Sequence, residues 1–150
     1  MKCEHHVSAM VPKEVLWALL SDFPKAARCL PGVEEVRRAD NNSYQGAMRI
    51  RIGPIGLNLS GTVELEQDEI KGLWRMRAQA RDGKTGGGVR AIVEAILTEP
   101  KPGSSDLRIS ADVQFMGRLG ELGQPLIKRK ADTILKEFAE NLKRAVTGGG

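Results

Sequence analysis

The side chains able to do chemistry are few, and their spacing argues against most reactions. His5 and His6 are neighbours in a segment that alternates apolar and polar residues, so on a strand they point to opposite faces and cannot share a metal ion. His5 shares the apolar side with Val7 and reads as a half-buried, hydrogen-bonded histidine or a polar contact to a ligand. Cys3 and Cys29 are too few for a disulfide framework or a cysteine-rich zinc site, and no bond between them is expected. No serine or cysteine sits in a nucleophile elbow, and two histidines on one strand do not equip a nucleophile with a base. Asp82-Gly83-Lys84-Thr85 holds the Gly-Lys-Thr triplet of a phosphate loop. The first glycine of that loop would have to stand where Ala78 is, and the segment leads into a strand, not a helix N-terminus. Glu64, Glu66, Glu94 and Asp112 fall on an outward register, which leaves no inward carboxylate pair for acid–base work. The expectation is therefore a protein without catalysis, metal or cofactor.

Composition narrows the partners. Aromatic residues are 4% of the chain, too few to stack the bases of single-stranded nucleic acid, and 19 acidic residues offset 23 basic ones to leave a net charge of only +4. Nucleic acid is not an expected partner. Glu4, His5 and His6 interrupt what would be the apolar stretch of an export signal, so a cytoplasmic location is expected. The longest fully apolar run, Val15 to Leu20, falls far short of the roughly 20 residues of a spanning helix. At 150 residues one hydrophobic core suffices.

The elements that must position any site follow from periodicity. Lys2 to Met10 reads as a strand. Pro12 suits the first turn of a helix whose apolar residues are Val15, Leu16, Leu19 and Leu20, and Ser21-Asp22 separates it from a short second helix over Phe23 to Arg28. Cys29-Leu30-Pro31-Gly32 is a turn. From Val33 the period becomes two: an edge strand to Ala39, then Tyr44, Gly46, Met48, Ile50 and Ile52 on one face of the next. Leu57, Leu59, Gly61, Val63 and Leu65 alternate with Asn58, Ser60, Thr62, Glu64 and Glu66, and Trp74, Met76, Ala78 and Ala80 alternate with Arg75, Arg77, Gln79 and Arg81. Val89 to Leu97 and Leu107 to Phe115 add two strands. A final helix starts at Leu119 or Gly123 and runs to Val146, with Leu122, Leu126, Ile127, Ala131, Ile134, Leu135, Phe138, Leu142 and Val146 as its apolar stripe. At about 24 residues it spans roughly 36 Å. The order is α+β: a strand, two short helices, six antiparallel strands and a long helix, in one domain over residues 1–146 with a disordered tail over 147–150.

Two faces of that sheet differ. Arg49, Arg51, Arg75, Arg77 and Arg81 lie on the outer face with Glu64 and Glu66 on the strand between them, a pattern of cross-strand ion pairs more than an anion-binding patch. The inner face carries small residues at Gly46, Gly61, Ala78, Ala80, Ala91, Ala95 and Ala111. Protein interiors pack at a density near 0.74, so either the helix approaches closely there or a void remains. A dry apolar void would hold an apolar molecule.

Four segments carry a resemblance: Val15-Leu16-Trp17-Ala18-Leu19-Leu20-Ser21-Asp22, Ala27-Arg28-Cys29-Leu30-Pro31-Gly32, Ile52-Gly53-Pro54-Ile55 and Leu122-Gly123-Gln124-Pro125-Leu126-Ile127. The chain resembles the carbon monoxide dehydrogenase CoxG family, within the START-like, polyketide-cyclase-like helix-grip (SRPBCC) superfamily. The resemblance implies a helix-grip fold: a curved seven-stranded antiparallel sheet around a long C-terminal helix, with two short helices between strands 1 and 2. It also implies a non-catalytic carrier of a hydrophobic small molecule, a quinone or lipid, accessory to a molybdenum hydroxylase-type oxidoreductase such as carbon monoxide dehydrogenase. The chain stops soon after the helix, without the apolar anchor of some relatives, so membrane contact is expected to be transient and at the inner face. Pro125 departs from the family and should start or kink the helix. The expected ligand wall is Leu30, Met48, Ile50, Leu59, Trp74, Met76, Val93, Val113, Phe115, Ile127 and Ile134, with Phe23 and Leu30 at the rim and Gly61 and Ala78 leaving space. A cyclase or hydrolase would instead need His5, Tyr44 or Cys29 in that space, and a filled core would leave well under the roughly 300 Å³ of a ligand site.

Overall fold

The computed structural model describes residues 1–147. Seven strands form one antiparallel sheet in the order β1-β7-β6-β5-β4-β3-β2. They are β1 (Lys2–Ala9), β2 (Val33–Asp40), β3 (Ser43–Ile52), β4 (Ile55–Asp68), β5 (Leu73–Asp82), β6 (Gly88–Lys101) and β7 (Ser104–Met116). Helices α1 (Lys13–Ser21) and α2 (Phe23–Ala27) separate β1 from β2, and α3 (Gln124–Val146) follows β7. Strands β2 to β7 are a meander in which each turn is short, and β1 closes it by pairing with β7.

Several boundaries differ from those the periodicity predicts. Strand β1 stops at Ala9, one residue short of Met10. The ladders β4, β6 and β7 continue through polar residues almost to the turns, because a tight hairpin keeps flanking backbone groups paired whatever their side chains. At the β6–β7 end a register shift between Thr98 and Lys101 accommodates Pro100, which has no N–H to donate. Pro12 is not inside α1 but precedes it in an extended conformation, and Val15 on that helix is 41% exposed. The final helix does not begin at Leu119: Gly117–Leu122 forms a separate 3-10 turn, Gly123 breaks it at φ 92°, and Pro125 then occupies the first turn of α3 without kinking it. Of the tail expected to be disordered, Thr147 caps α3 by donating its N–H to the Lys143 carbonyl at 3.1 Å, and 148–150 lie outside the described residues.

The core divides in two along the concave face. The larger part gathers Leu16 and Leu20 of α1, Phe23 and Ala27 of α2, Leu135, Phe138 and Leu142 of α3 and the inner residues of β1, β5, β6 and β7. The smaller sits at the other end, where Ile52, Leu57 and Leu59 meet Leu119 of the 3-10 turn. Helix α3 packs chiefly along β1, so its apolar stripe covers one side of the sheet more closely than the centre. Asn141 Nδ2 donates to the Cys29 carbonyl at 2.9 Å, fixing the turn after α2 against α3.

Asp82 continues the inward register of Trp74, Met76, Ala78 and Ala80 and is the one buried carboxylate of the described residues, 2% exposed at the end of β5. It accepts from the backbone N–H groups of Thr85 and Asn58, each at 2.9 Å, and from the Thr85 hydroxyl at 2.8 Å, so it holds the glycine-rich β5–β6 turn shut. The Gly-Lys-Thr triplet thus serves this turn. The outer face carries the ion pairs anticipated for it: Arg75 lies between Glu66 at 3.6 Å and Glu94 at 3.3 Å, and Arg77 reaches Glu66 at 3.6 Å.

Two outcomes follow. Gly61 approaches β5 so closely that a Cβ there would collide with the Gln79 carbonyl, whereas at Gly83 it would meet open space. Gly61→Ala should therefore cost about 2 kcal/mol in urea unfolding, against less than about 0.5 kcal/mol for Gly83→Ala. The hydrogen bonds from Thr85 and Asn58 hold Asp82 below the usual carboxylate range. Its stabilisation is therefore complete above the unfolded carboxylate value and lost as pH falls through the lowered folded one. Thermal melts of Asp82→Asn should be lower than wild type near neutrality and fall less steeply below about pH 4.

Candidate functional site

Residue size along the concave face decides where the two layers touch. At one end Trp74 is 1% exposed, its indole Nε1–H donates to the Leu20 carbonyl at 2.9 Å, and its ring stands 6.4 Å from Phe23 and 6.5 Å from Phe138. Ala95, its partner on β6, is fully buried, so here the small residue admits close packing. Towards the centre the sheet rows are Tyr44–Val63–Ala78–Ala91–Val113 and Val36–Gly46–Gly61–Ala80–Val89–Phe115. Their glycines and alanines cannot reach α3, and apolar side chains such as Val63, Val89 and Phe115 stay only half-buried. Both outcomes allowed for the small residues therefore occur, in different halves of the sheet.

A cavity of about 210 Å³ occupies the centre, with a wall that is almost entirely apolar. Leu30, Met48, Ile50, Leu59, Gly61, Met76, Ala78, Val93, Val113, Phe115, Ile127 and Ile134 line it, and so does Phe23. Trp74 does not: its ring is wholly taken up by the Phe23–Phe138 stack, so it supports the cavity from outside. Phe23 is 2% exposed and closes one side of the cavity. Sequence reasoning missed Ala131, Leu135 and Phe138, although their spacing from Ile127 and Ile134 puts them on the same face of α3. It also missed Val33 and Val36, because strict alternation puts residues three apart on opposite faces and only the bulge between Val33 and Glu35 turns both inward.

The wall offers little to acid–base chemistry. Its polar border is Glu35, Gln45, Thr62, Gln79 and Lys130, and the Glu35 carboxylate is held by Arg37 at 2.7 Å. His5, Tyr44 and Cys29, the side chains an enzyme would use, lie outside it. Cys3 and Cys29 are free and buried; burial, with Asp132 adding to it, pushes the Cys3 thiol up to about 11, and burial raises Cys29. Neither is a ready nucleophile. Among the described residues no group of histidine, cysteine and carboxylate side chains is arranged to hold a metal.

In size the cavity falls between two landmarks. It exceeds the roughly 150 Å³ void that binds benzene, and it is smaller than the roughly 300 Å³ at which drug-sized sites begin. Two fused rings or a short chain would fill it.

Residues 4–147 match the model of the carbon monoxide dehydrogenase CoxG family. The chain belongs to that family. No curated protein matches it. Among solved structures, this CoxG family member is similar to a conserved protein from Geobacillus kaustophilus, with a TM-score of 0.86 and 15% identity over 98% of this chain and 95% of that one. A START superfamily protein from Mycobacterium smegmatis gives 0.69 and 15% over 99% of each chain. The Zhui aromatase/cyclase from a Streptomyces species gives 0.66 and 14% over 100% of this chain and 98% of that one. At these identities the likeness is one of fold, and it shows the CoxG family member to have the START-like helix-grip architecture.

Proposed function

We propose that this protein is a non-catalytic carrier of an apolar small molecule, a quinone or a lipid, and that it serves a molybdenum-dependent oxidoreductase of the carbon monoxide dehydrogenase type. One observation carries the reading: an apolar cavity of about 210 Å³ stands open between α3 and the sheet, where a folded core would otherwise be packed. Membership of a family named for carbon monoxide dehydrogenase supports the accessory role. The ligand is held by apolar contact with Met48, Ile50, Met76, Val93, Phe115 and Ile134, worth about 25 cal/mol per Å² of surface removed from water.

No helix among the described residues is long and apolar enough to cross a membrane. In this reading the carrier works in the cytoplasm and meets the inner face of the membrane transiently. The exposed Lys128, Arg129, Lys136 and Lys143 on the back of α3 suit an anionic surface.

Organic extraction of the purified protein followed by mass spectrometry should release a co-purifying apolar molecule, and added 1,4-naphthoquinone should bind with 1:1 stoichiometry in calorimetry. Ala91→Phe, which places a ring in the cavity, should abolish that binding while raising or preserving the melting temperature. An empty protein that also ignores added quinone would sink the carrier reading.

A further inference from the structure

Phe23 has open space on two sides. One is the cavity; the other is a surface groove bounded by Ala18, Ser21, Asp22, Pro24, Arg38 and Tyr44. The two spaces differ in chemistry. The cavity wall is apolar, whereas the groove carries a guanidinium, a carboxylate and two hydroxyls.

Arg38 reaches this place because of the bulge in β2. With the register shifted between Val33 and Glu35, Val36 pairs with Gly46 and Arg38 with Tyr44, so both take the concave register that leads from the cavity to the groove. The Arg38 guanidinium lies 6.0 Å from the centre of the Tyr44 ring, with Nη2 donating to the Asn41 carbonyl at 2.9 Å and Nε to the Asp40 carbonyl at 3.4 Å. No carboxylate pairs with it among the described residues, while the carboxylate of the groove itself, Asp22, lies 3.9 Å from Lys25 Nζ. Ser21 Oγ accepts from Gln67 Nε2 at 2.9 Å and keeps its own proton to donate.

The partition between the spaces is thin. The Phe23 ring stands 4.5 Å from Tyr44, and it belongs to a helix of five residues joined to α1 by Asp22 alone, whose side chain makes no capping bond. A rotation at Phe23 or a small shift of α2 about Asp22 would join cavity and groove.

We propose that the groove is a second subsite for the ligand of the cavity and that Phe23 is the movable partition between them. The apolar part of the ligand occupies the cavity, and its oxygen-bearing end, carbonyl or carboxylate, accepts hydrogen bonds from Arg38, with the Tyr44 and Ser21 hydroxyls at hand. This rests on the carrier reading and deepens it: the ligand is an amphiphile longer than the cavity, which accounts for a cavity smaller than the roughly 300 Å³ of a complete site.

Calorimetry and stopped-flow fluorescence with two probes separate the ideas. Naphthalene fits the cavity alone, and 6-(2-naphthyl)hexanoate carries a chain and a carboxylate long enough to pass Phe23. Wild type and Arg38→Gln should bind naphthalene equally, whereas the hexanoate should bind Arg38→Gln about tenfold more weakly than wild type. Phe23→Leu, which keeps an apolar side chain in the core, should speed hexanoate association several-fold. Equal hexanoate affinity in wild type and Arg38→Gln overturns the subsite while the carrier reading stands. An unchanged association rate in folded Phe23→Leu overturns the partition. Failure of wild type to bind naphthalene defeats the carrier reading, and the subsite with it.

Discussion

Everything in the concave half of the molecule depends on how Trp74 is held. Its ring lies between Phe23 of α2 and Phe138 of α3, and its N–H is tied to the last turn of α1 through the Leu20 carbonyl. One side chain from the central strand of the sheet therefore meets all three helices. An indole buried without a partner for its N–H would lose more than the bond is worth, so the position of α1 is as constrained as that of the ring. The stack also props α3 at a set height above β5. Further along the same strand the inner side chains shrink from Met76 to Ala78 and Ala80, and a rigid helix of about 35 Å cannot bend down to meet them. The cavity is the gap left between a stiff helix and a floor that falls away.

That gap has an energetic consequence. Unfilled apolar volume forfeits dispersion contacts, and at about 24 cal/mol per Å³ a void of about 210 Å³ leaves on the order of 5 kcal/mol of packing unmade. A domain of this size has only about 5–15 kcal/mol of net stability. The closed ends must supply what the centre does not: the larger cluster around Trp74, the smaller one around Leu57 and Leu119, and the Asp82 clasp that draws the β5–β6 turn against β4. The outer face contributes little, since its arginine–glutamate pairs are largely solvated.

The strands and the long helix are legible in the sequence because one face of the sheet is wet and α3 is amphipathic, so apolar residues recur with periods of two and 3.6. The cavity wall is legible for the same reason, as inward register is a local property. What register cannot tell is whether an inward side chain ends in space or in another ring. Trp74 and Met76 have the same orientation on β5, and only the arrival of Phe23 and Phe138 from distant parts of the chain makes the first a support and the second a wall. Ala91 and Ala95 pose the same ambiguity on β6, one beneath the void and one in full contact. The alternation of β5 places Asp82 inward, but its role as a clasp escapes a sequence reading because its partners, Asn58 and Thr85, belong to a neighbouring strand and a turn. Val33 and Val36 are hidden by a bulge, which reverses the face of every residue beyond it.

For the carriage proposed above, the composition of the wall is the relevant property. Stabilising a transition state requires preorganised donors or charges aimed at the reacting atoms, and the apolar residues that enclose most of this space supply neither. Apolar contact, by contrast, is non-directional and scales with area, so it holds a ligand without fixing one orientation. A carrier must also let go. When another apolar surface of similar area is presented, an oily molecule crosses to it with little change in free energy, whereas a ligand gripped by several buried hydrogen bonds would leave each partner unsatisfied. Polar groups are then most useful not within such a cavity but beside it, where water can replace the ligand as it departs, and Arg38, Tyr44 and Ser21 stand in the separate groove behind Phe23.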